Sequence, residues 1–342
     1  IQTKEEVLKE INSNVSLKNT YSSWTDERQR EFLDVCTGVR GHRIMYDMYF
    51  KYVFDIEANP ENLKAFLGDL LGIKIDSLEV LSNSSALVDE THSLMVMDIL
   101  VRLSDGTIVN VEVQKIGYLF PGQRAACYSA DLLLRQYAKQ RKDNRNFSYK
   151  AMKDVITIVL IEESQKEFSA YREYIHKFRQ QSDTGLELPL LQEYYFLPLD
   201  IFRKSVQDKP IKERTALETW LTFLTAEDPE EIYNLILTHP EFEPIYQRLY
   251  RLCRNIEGAM QMFSEQLRIM DQNTIKLMID ELRDEVQEQK HQLQEKEHQL
   301  QEKERTLMIK EEEAEAERQR ANRAEAELLR LRKQLDDKNG NS

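Results

Sequence analysis

Apolar and polar residues follow patterns that predict strands interleaved with helices over about residues 41–205. Residues 94–115, LMVMDILVRLSDGTIVNVEVQK, contain two apolar runs on either side of a Ser-Asp-Gly turn and predict a β-hairpin. The β-branched run KDVITIVLIEE at 153–163 is typical of a buried central strand, and QEYYFLPLDIF at 192–202 is a further strand candidate. Together with the helices between them, these strands predict one α/β domain.

Three helices are predicted around these strands. They lie in YDMYFKYVFD (46–55), NPENLKAFLGDLLGI (59–73) and FPGQRAACYSADLLLRQYAKQ (120–140). In the second of them, Asn59 is a candidate N-cap, Pro60 occupies the first helical position and Gly72 ends the helix.

The C-terminal third of the chain has a helical pattern throughout. From about Pro210 it is all-helical, and beyond Ile275 it predicts one long charged helix in which HQLQEKE occurs at 291–297 and again at 298–304. Apolar residues recur there every seven positions, at Val286, Leu293, Leu300, Leu307, Ala314, Ala321, Leu328 and Leu335. The second core position of the heptad is lysine in the middle of the helix, so two interpretations stay open. One is an oligomerising coiled coil, parallel or antiparallel, and the other is a solvated single helix rich in Glu/Lys pairs.

Length and composition set the domain organisation. The 342-residue chain is 41% hydrophobic and exceeds the usual length of one compact domain. We predict five parts: a polar, partly helical N-terminal arm (1–40), an α/β domain (41–205), a helical extension (206–274), the long charged helix (275–338) and a disordered tail (339–342).

Charge and cysteine content bear on which partners, metal sites and compartment the sequence allows. The net charge is −13, so contact with nucleic acid has to rest on a local basic patch. Three cysteines lie far apart without a C-x-x-C pair, which indicates neither a zinc site nor a disulfide framework and fits a reducing cytoplasm. No apolar run has the length of a membrane span and no signal peptide is visible, so no membrane partner is expected. The chain begins at Ile1 rather than at Met, and we expect a native start before it.

Polar side chains interrupt the apolar hairpin on one face. On the returning strand Glu112 and Gln114 alternate with Val111 and Val113, whose side chains should face the core. Counting outward from the turn brings Asp98, on the first strand, near the level of Glu112. Two carboxylates beside a backbone carbonyl would form a hard-oxygen site of the kind that Mg²⁺ takes, with Mn²⁺ as an alternative.

Such a site suits phosphodiester hydrolysis, because the metal polarises the phosphoryl oxygen and lowers the pKa of the attacking water. In this interpretation the Val113 carbonyl completes the protein ligands and Gln114 positions the water. Many nucleases have lysine at the position of Gln114. The alternative is a solvated hairpin face, which often carries such residues and needs no metal.

The order of three segments resembles the PD-(D/E)XK nuclease family transposases, also described as recombination-promoting nucleases. The segments are YDMYFKYVFDIEANPENLKAFLGDLLG, MDILVRLSDGTIVNVEVQK and GQRAACYSADLLLRQY, within about residues 45–205. The resemblance implies a restriction-endonuclease-like mixed-sheet core flanked by helices, with Mg²⁺-dependent cleavage of DNA. It matches Asp98 to the family's metal-binding Asp, and Glu112 with Gln114 to a Glu-x-Gln motif that lacks the usual lysine.

The same resemblance implies roles for four more residues. Asp47 and Lys51 match an opening motif, in which Lys51 would supply the charge that Gln114 lacks. Arg124 and Tyr128 match an Arg-x-x-x-Tyr motif whose spacing puts both on one helix face, where Arg124 can meet the scissile phosphate. The alternatives are an N-cap for Asp47, a surface ion pair for Arg124 and half-buried packing for Tyr128.

A basic stretch, RQYAKQRKDNRNFSYK (135–150), contains candidate DNA contacts interleaved with aromatic residues. They are Arg135, Lys139, Arg141, Lys142 and Arg145. The alternative is an ordinary solvated helix end with a basic last turn.

These patterns predict a metal-dependent deoxyribonuclease of the cytoplasm that forms homo-oligomers through its C-terminal coiled coil. The rival interpretation is a nuclease-fold scaffold without useful activity, which oligomerises and binds partners through that coil. The absent lysine favours the rival, and the Asp98–Glu112 pair favours the enzyme.

Overall fold

The computed structural model describes residues 2–81, 99–116, 121–143 and 147–339. Its helices are α1 (Lys4–Ser13), α2 (Val15–Ser23), α3 (Asp26–Cys36), α4 (Asp47–Val53), α5 (Pro60–Leu71), α6 (Pro121–Asp143), α7 (Lys166–Ser169), α8 (Leu199–Ser205), α9 (Ala216–Thr225), α10 (Pro229–Thr238), α11 (Glu243–Arg254) and α12 (Ile256–Asn339). Its strands are β1 (Leu78–Val80), β2 (Ile99–Leu103), β3 (Ile108–Ile116), β4 (Val155–Glu163), β5 (His176–Arg179) and β6 (Gln192–Pro198).

The described strands form one mixed sheet in the order β1-β2-β3-β4-β6-β5. The β1–β2, β2–β3 and β5–β6 pairs are antiparallel, whereas β3–β4 and β4–β6 are parallel. Helices flank this sheet, so the predicted mixed α/β class is confirmed.

The predicted hairpin is the β2–β3 pair, and its turn explains its register. Gly106 has φ +93°, a left-handed conformation that glycine adopts without steric cost. The Asp105 carboxylate accepts a hydrogen bond from the Thr107 N–H (2.9 Å), and the Thr107 carbonyl accepts one from the Leu103 N–H (2.8 Å). These contacts set Val101 opposite Val109.

One face of the sheet is the floor of the main core. Val101, Val109 and Val111 belong to a buried cluster with Ile158 and Leu197 on the neighbouring strands. Helices α4, α5, α8, α9, α10 and α11 contribute aliphatic and aromatic side chains to this cluster. The helix α5 begins at Pro60 and is followed by Gly72, whose φ of +68° ends it as predicted. Side chains that alternate with the valines point to the opposite face, beneath α6.

The N-terminal residues form a second core. Helices α1, α2 and α3 bury their apolar faces against the beginning of α12. The Trp24 ring contacts both Phe32 (centroids 5.3 Å apart) and Phe263 (5.0 Å), whose centroids are 5.6 Å from each other. The predicted N-terminal arm therefore contains three helices with apolar packing of their own.

The chain divides into two units, residues 1–273 and 274–342. Within the second unit, α12 exposes the predicted heptad seam: Leu293, Leu300 and Leu307 are each 60% exposed. None of the described helices has the length and apolar character needed to cross a membrane.

Candidate active site

Strand β3 carries a row of buried polar side chains. Asn110, Glu112 and Gln114 alternate with the core valines, and their exposed fractions are 0%, 4% and 4%. The predicted common direction of Glu112 and Gln114 follows from this alternation. Because these side chains are buried, the alternative of a solvated hairpin face is wrong.

The row has unused hydrogen-bonding capacity. Asn110 Nδ2 donates to Glu112 Oε1 (3.0 Å). Asn110 Oδ1 and Gln114 Oε1 are buried and have no hydrogen-bond partner among the described residues. The same holds for the hydroxyl of Thr157, the residue of β4 that pairs with Asn110. Buried polar atoms are nearly always satisfied, so this group of oxygens indicates a place for water, a cation or substrate.

The donor set fits a hard divalent cation. The row offers the Glu112 carboxylate as a ligand, and Mg²⁺ binds such oxygens while retaining several waters. The unsatisfied Gln114 amide oxygen is an acceptor for one of those waters. Among the described residues, no group of three His, Cys, Asp or Glu side chains could hold a metal ion. The other predicted carboxylate, Asp98, lies outside the described residues. It directly precedes Ile99, which pairs with Val111 at the described end of β2.

Helix α6 covers this face of the sheet. Tyr128 and Leu132 pack with Leu100, Ile108 and Val155. Nearer the start of α6, Ala125 packs against Val159 and Ile161 of β4. These two residues are the register partners of Glu112 and Gln114. Two hydrogen bonds connect α6 to β6 and to the residues before β4. Gln192 Nε2 donates to Ser129 Oγ (2.9 Å), and Gln136 Nε2 donates to the Lys153 carbonyl (3.0 Å).

Arg124 and Tyr128 lie on α6 with the predicted common orientation. The Arg124 guanidinium carbon is 5.5 Å from the centre of the Tyr128 ring, a cation–π distance. Arg124 is exposed, whereas Tyr128 is only 4% exposed and is more deeply buried than half-buried packing implies. The roles of both residues in catalysis stay predictions.

Asp47 and Lys51 form an ion pair across one turn of α4, with Lys51 Nζ 2.7 Å from Asp47 Oδ1. The N-cap position of α4 is Tyr46, and Asp47 is the first helical residue, so the alternative role of Asp47 as N-cap is wrong. The buried side chains of α4 pack in the core cluster that contains Val111. Participation of Asp47 and Lys51 in the site stays a prediction.

The basic stretch occupies the C-terminal end of α6 and the residues after it. Arg135 forms an ion pair with Asp131 (2.5 Å). Three other candidate DNA contacts are exposed, namely Lys139, Arg141 and Lys142. Arg145 lies outside the described residues. The aromatic residues of the stretch form one cluster, in which Tyr137 is 5.4 Å from Phe147 and 6.1 Å from Tyr149 between ring centroids. Tyr149 is 73% exposed, so a flat ring faces solvent beside the lysines.

The sequence analysis missed a large cavity on the same face of the sheet. Register partners run from Glu112 to Val159, Phe196 and His176 across four strands. Since neighbouring strands are about 4.8 Å apart, Phe196 lies about 10 Å from Glu112. Around it is a cavity of about 1130 Å³, lined by Phe168, Tyr171, His176, Phe178, Tyr194 and Phe196 together with the first turns of α6. The alternating aromatic residues of QEYYFLP were the only local signal for it.

Comparison with known proteins gives one match. The family model described as PD-(D/E)XK nuclease family transposase matches residues 44–281, more than half of the chain. No curated protein and no solved structure matches. The matched range includes the hairpin, α6 and the cavity, and therefore the whole face described above.

Proposed function

We propose, from the premise that this chain belongs to the PD-(D/E)XK nuclease family transposases, that it is a metal-dependent endonuclease that hydrolyses DNA phosphodiester bonds at the face of β3 that carries Glu112. The observation that carries the proposal is the buried pair of Glu112 and Gln114, with the Gln114 Oε1 unsatisfied among the described residues. A nuclease fold without such a site has no need to bury a carboxylate there.

Three groups of this chain hold the cation in the proposal: the carboxylates of Glu112 and Asp98 and the carbonyl of Val113. Asp98 directly precedes Ile99, the β2 residue that pairs with Val111 beside Glu112. Every second residue of a strand directs its backbone carbonyl to the same neighbouring strand. The Thr107 carbonyl accepts a hydrogen bond from Leu103 near the end of β2. Val113 is six residues after Thr107, so in the proposal its carbonyl is also directed to the β2 side, the side from which Asp98 binds the cation. A divalent cation bound there supplies Lewis-acid chemistry and a water of lowered pKa.

The remaining side chains orient the reactants. Gln114 accepts a hydrogen bond from the attacking water through Oε1 and so sets its direction. Arg124 binds the scissile phosphate from α6, and the Tyr128 ring fixes the guanidinium by the 5.5 Å contact. Lys51, paired with Asp47, supplies positive charge in place of the family's usual lysine.

The DNA contacts of the proposal extend from this site in two directions. The exposed Lys139, Arg141 and Lys142 meet phosphates, and the neighbouring ring of Tyr149 offers a stacking surface. The aromatic cavity beside Phe196 is wide enough to receive an unpaired base about two strand spacings from Glu112.

Assembly is the last part of the proposal. The exposed seam of Leu293, Leu300 and Leu307 is covered when two or more copies of α12 form a coiled coil. Paired copies would bring two cleavage sites to one DNA.

Nicking of supercoiled plasmid by the full-length protein tests the activity. We expect nicked circles with Mg²⁺ or Mn²⁺, no nicking with EDTA, and no nicking by the Glu112→Gln variant purified in the same way. DNA retention in a gel-shift assay without metal-dependent nicking would overturn the enzyme and support the scaffold rival.

A further inference from the structure

Two cysteines that are distant in sequence meet in the second core. Cys36, at the end of α3, and Cys253, on α11, are each 3% exposed, as is His42 between α3 and α4. His42 Nε2 is 3.3 Å from Cys253 Sγ. Both cysteines belong to the same buried cluster and line the same cavity. The two thiols are therefore neighbours, and the His42 imidazole lies against that of Cys253.

The two thiols are unequal. The neighbouring Cys36 thiol, supported by His42, lowers the pKa of Cys253. The neighbouring Cys253, with burial, raises the pKa of Cys36. Of the two, Cys253 is the thiol that ionises more readily. A thiolate is the nucleophilic form of cysteine.

A small reagent can reach the pair. A cavity of about 300 Å³ is lined by both cysteines and by Gln247, Arg251 and Arg254, whose side chains are exposed. The cavity thus connects the thiols with the surface beside two arginines. A peroxide molecule is of similar size to water and fits such a space.

We propose that Cys253 and Cys36 form a peroxide-reactive dithiol that closes a reversible disulfide between α11 and α3. The Cys253 sulfur attacks one peroxide oxygen, the O–O bond breaks, and the leaving hydroxide takes a proton from solvent to become water. The sulfenic acid left on Cys253 is then attacked by the Cys36 sulfur. The S–S bond forms, and the hydroxyl leaves with the Cys36 proton as a second water. Two thiols and one hydrogen peroxide give one disulfide and two waters, and a cellular dithiol reductant reverses the bond.

The dithiol is separate from the proposed nuclease site. Cys36 and His42 precede the family match, which begins at residue 44, and both thiols belong to the core of α1–α3. The disulfide would tie that core covalently to α11. Its formation does not depend on the nuclease assignment.

Cys127 provides an internal control, because it is an exposed thiol on α6 in the same molecule. Reduced full-length protein is treated with a small excess of hydrogen peroxide, quenched with N-ethylmaleimide and analysed by peptide mass spectrometry. We expect a Cys36–Cys253 linked peptide, an alkylated Cys127, and oxidation of Cys253 at least about tenfold faster than that of Cys127. Dithiothreitol should restore both thiols.

A second measurement separates the two steps. In Cys36→Ser the sulfenic acid on Cys253 should persist and be trapped by dimedone, whereas Cys253→Ser should give no trapped product at Cys36. Circular dichroism shows whether each variant is folded. Oxidation of Cys127 before Cys253 in the wild-type protein, or the absence of a linked peptide, would overturn the proposal.

Discussion

At the residue scale, the burial of Glu112 is the feature that most needs an energetic explanation. A buried carboxylate costs several kcal/mol unless charges or hydrogen bonds compensate it. Asn110 donates one hydrogen bond to it, and Gln114 beside it has an amide oxygen for which the described residues offer no donor. Alternation along β3 was enough to predict that these side chains share a face. Their burial was not predictable, because it depends on elements from separate parts of the chain, among them α6 on the same face of the sheet.

Replacement of Glu112 by glutamine should separate metal binding from folding. Glutamine keeps an oxygen for the Asn110 hydrogen bond and removes the buried charge, so the unfolding temperature without metal should be unchanged or higher. Mg²⁺ should raise the unfolding temperature of the wild-type protein and leave that of Glu112→Gln where it was. Thermal unfolding followed by circular dichroism measures both. A loss of about 3–5 kcal/mol in the metal-free variant would instead identify Glu112 as half of a structural ion pair.

Gln114 should affect rate rather than stability. Gln114→Ala removes the group that orients the water and should slow cleavage by about ten- to a thousand-fold, with substrate affinity little changed. Gln114→Lys places the family's usual charge there and should rescue part of the defect of Lys51→Ala. Single-turnover cleavage of a labelled duplex gives these rates. Equal rates for wild type, Gln114→Ala and Lys51→Ala would remove both residues from the site.

At the element scale, α6 joins three features of the account. It packs on the β4 partners of Glu112 and Gln114, carries Arg124 and Tyr128, and ends in the exposed basic and aromatic cluster. Its existence followed from the Pro-Gly entry and the apolar spacing of the sequence. The cavity beside its first turns did not, because α6, α7, β5 and β6 come from separate parts of the chain and no local pattern encodes their meeting. The proximity of Cys36 to Cys253 at one cavity was missed for the same reason, because they are far apart in sequence.

The basic end of α6 should contribute to DNA affinity without regard to sequence. Lys139→Ala combined with Lys142→Ala should weaken binding to any duplex and reduce the slope of log affinity against log salt by about 1 for each phosphate that is no longer neutralised. The matched control is Lys204→Ala with Lys212→Ala, two exposed lysines in and after α8, which packs on the opposite face of the sheet. Fluorescence anisotropy over a salt series measures both pairs. Equal losses of affinity in the two double variants would mean that general charge, and not this surface, attracts DNA.

At the scale of the whole molecule, the chain combines a nuclease-family domain with a long charged helix. The hairpin, strands β4 and β6 and helices α4, α5 and α6 were accessible from local patterns because each element has its own hydrophobic period. The mixed sheet was implied only by the resemblance to the family. The heptad repeat was also visible in the sequence. Whether its leucines pack against another helix depends on a second copy of the chain. The seam leucines are 60% exposed in the single chain, and that exposure is what oligomerisation would remove.

Assembly should therefore depend on residues after Asn273, where the second unit begins. A chain ending at Asn273 should be monomeric and folded, while the full-length protein should sediment as a dimer or a larger oligomer. Leu300→Lys should weaken the oligomer, and Gln301→Lys, one position off the seam, should not. Sedimentation velocity distinguishes these species. A monomeric full-length protein would support the solvated single helix instead.

The central claim is that Glu112 belongs to a metal-dependent DNA cleavage site. The most direct test compares initial nicking rates of supercoiled plasmid, in Mg²⁺, for wild type, Glu112→Gln and Glu187→Gln. Glu187 lies on an exposed loop, so the third protein carries the same chemical change away from the site. We predict that Glu187→Gln nicks at the wild-type rate and that Glu112→Gln is slower by at least about 100-fold while remaining folded. Equal rates for all three proteins would contradict the account.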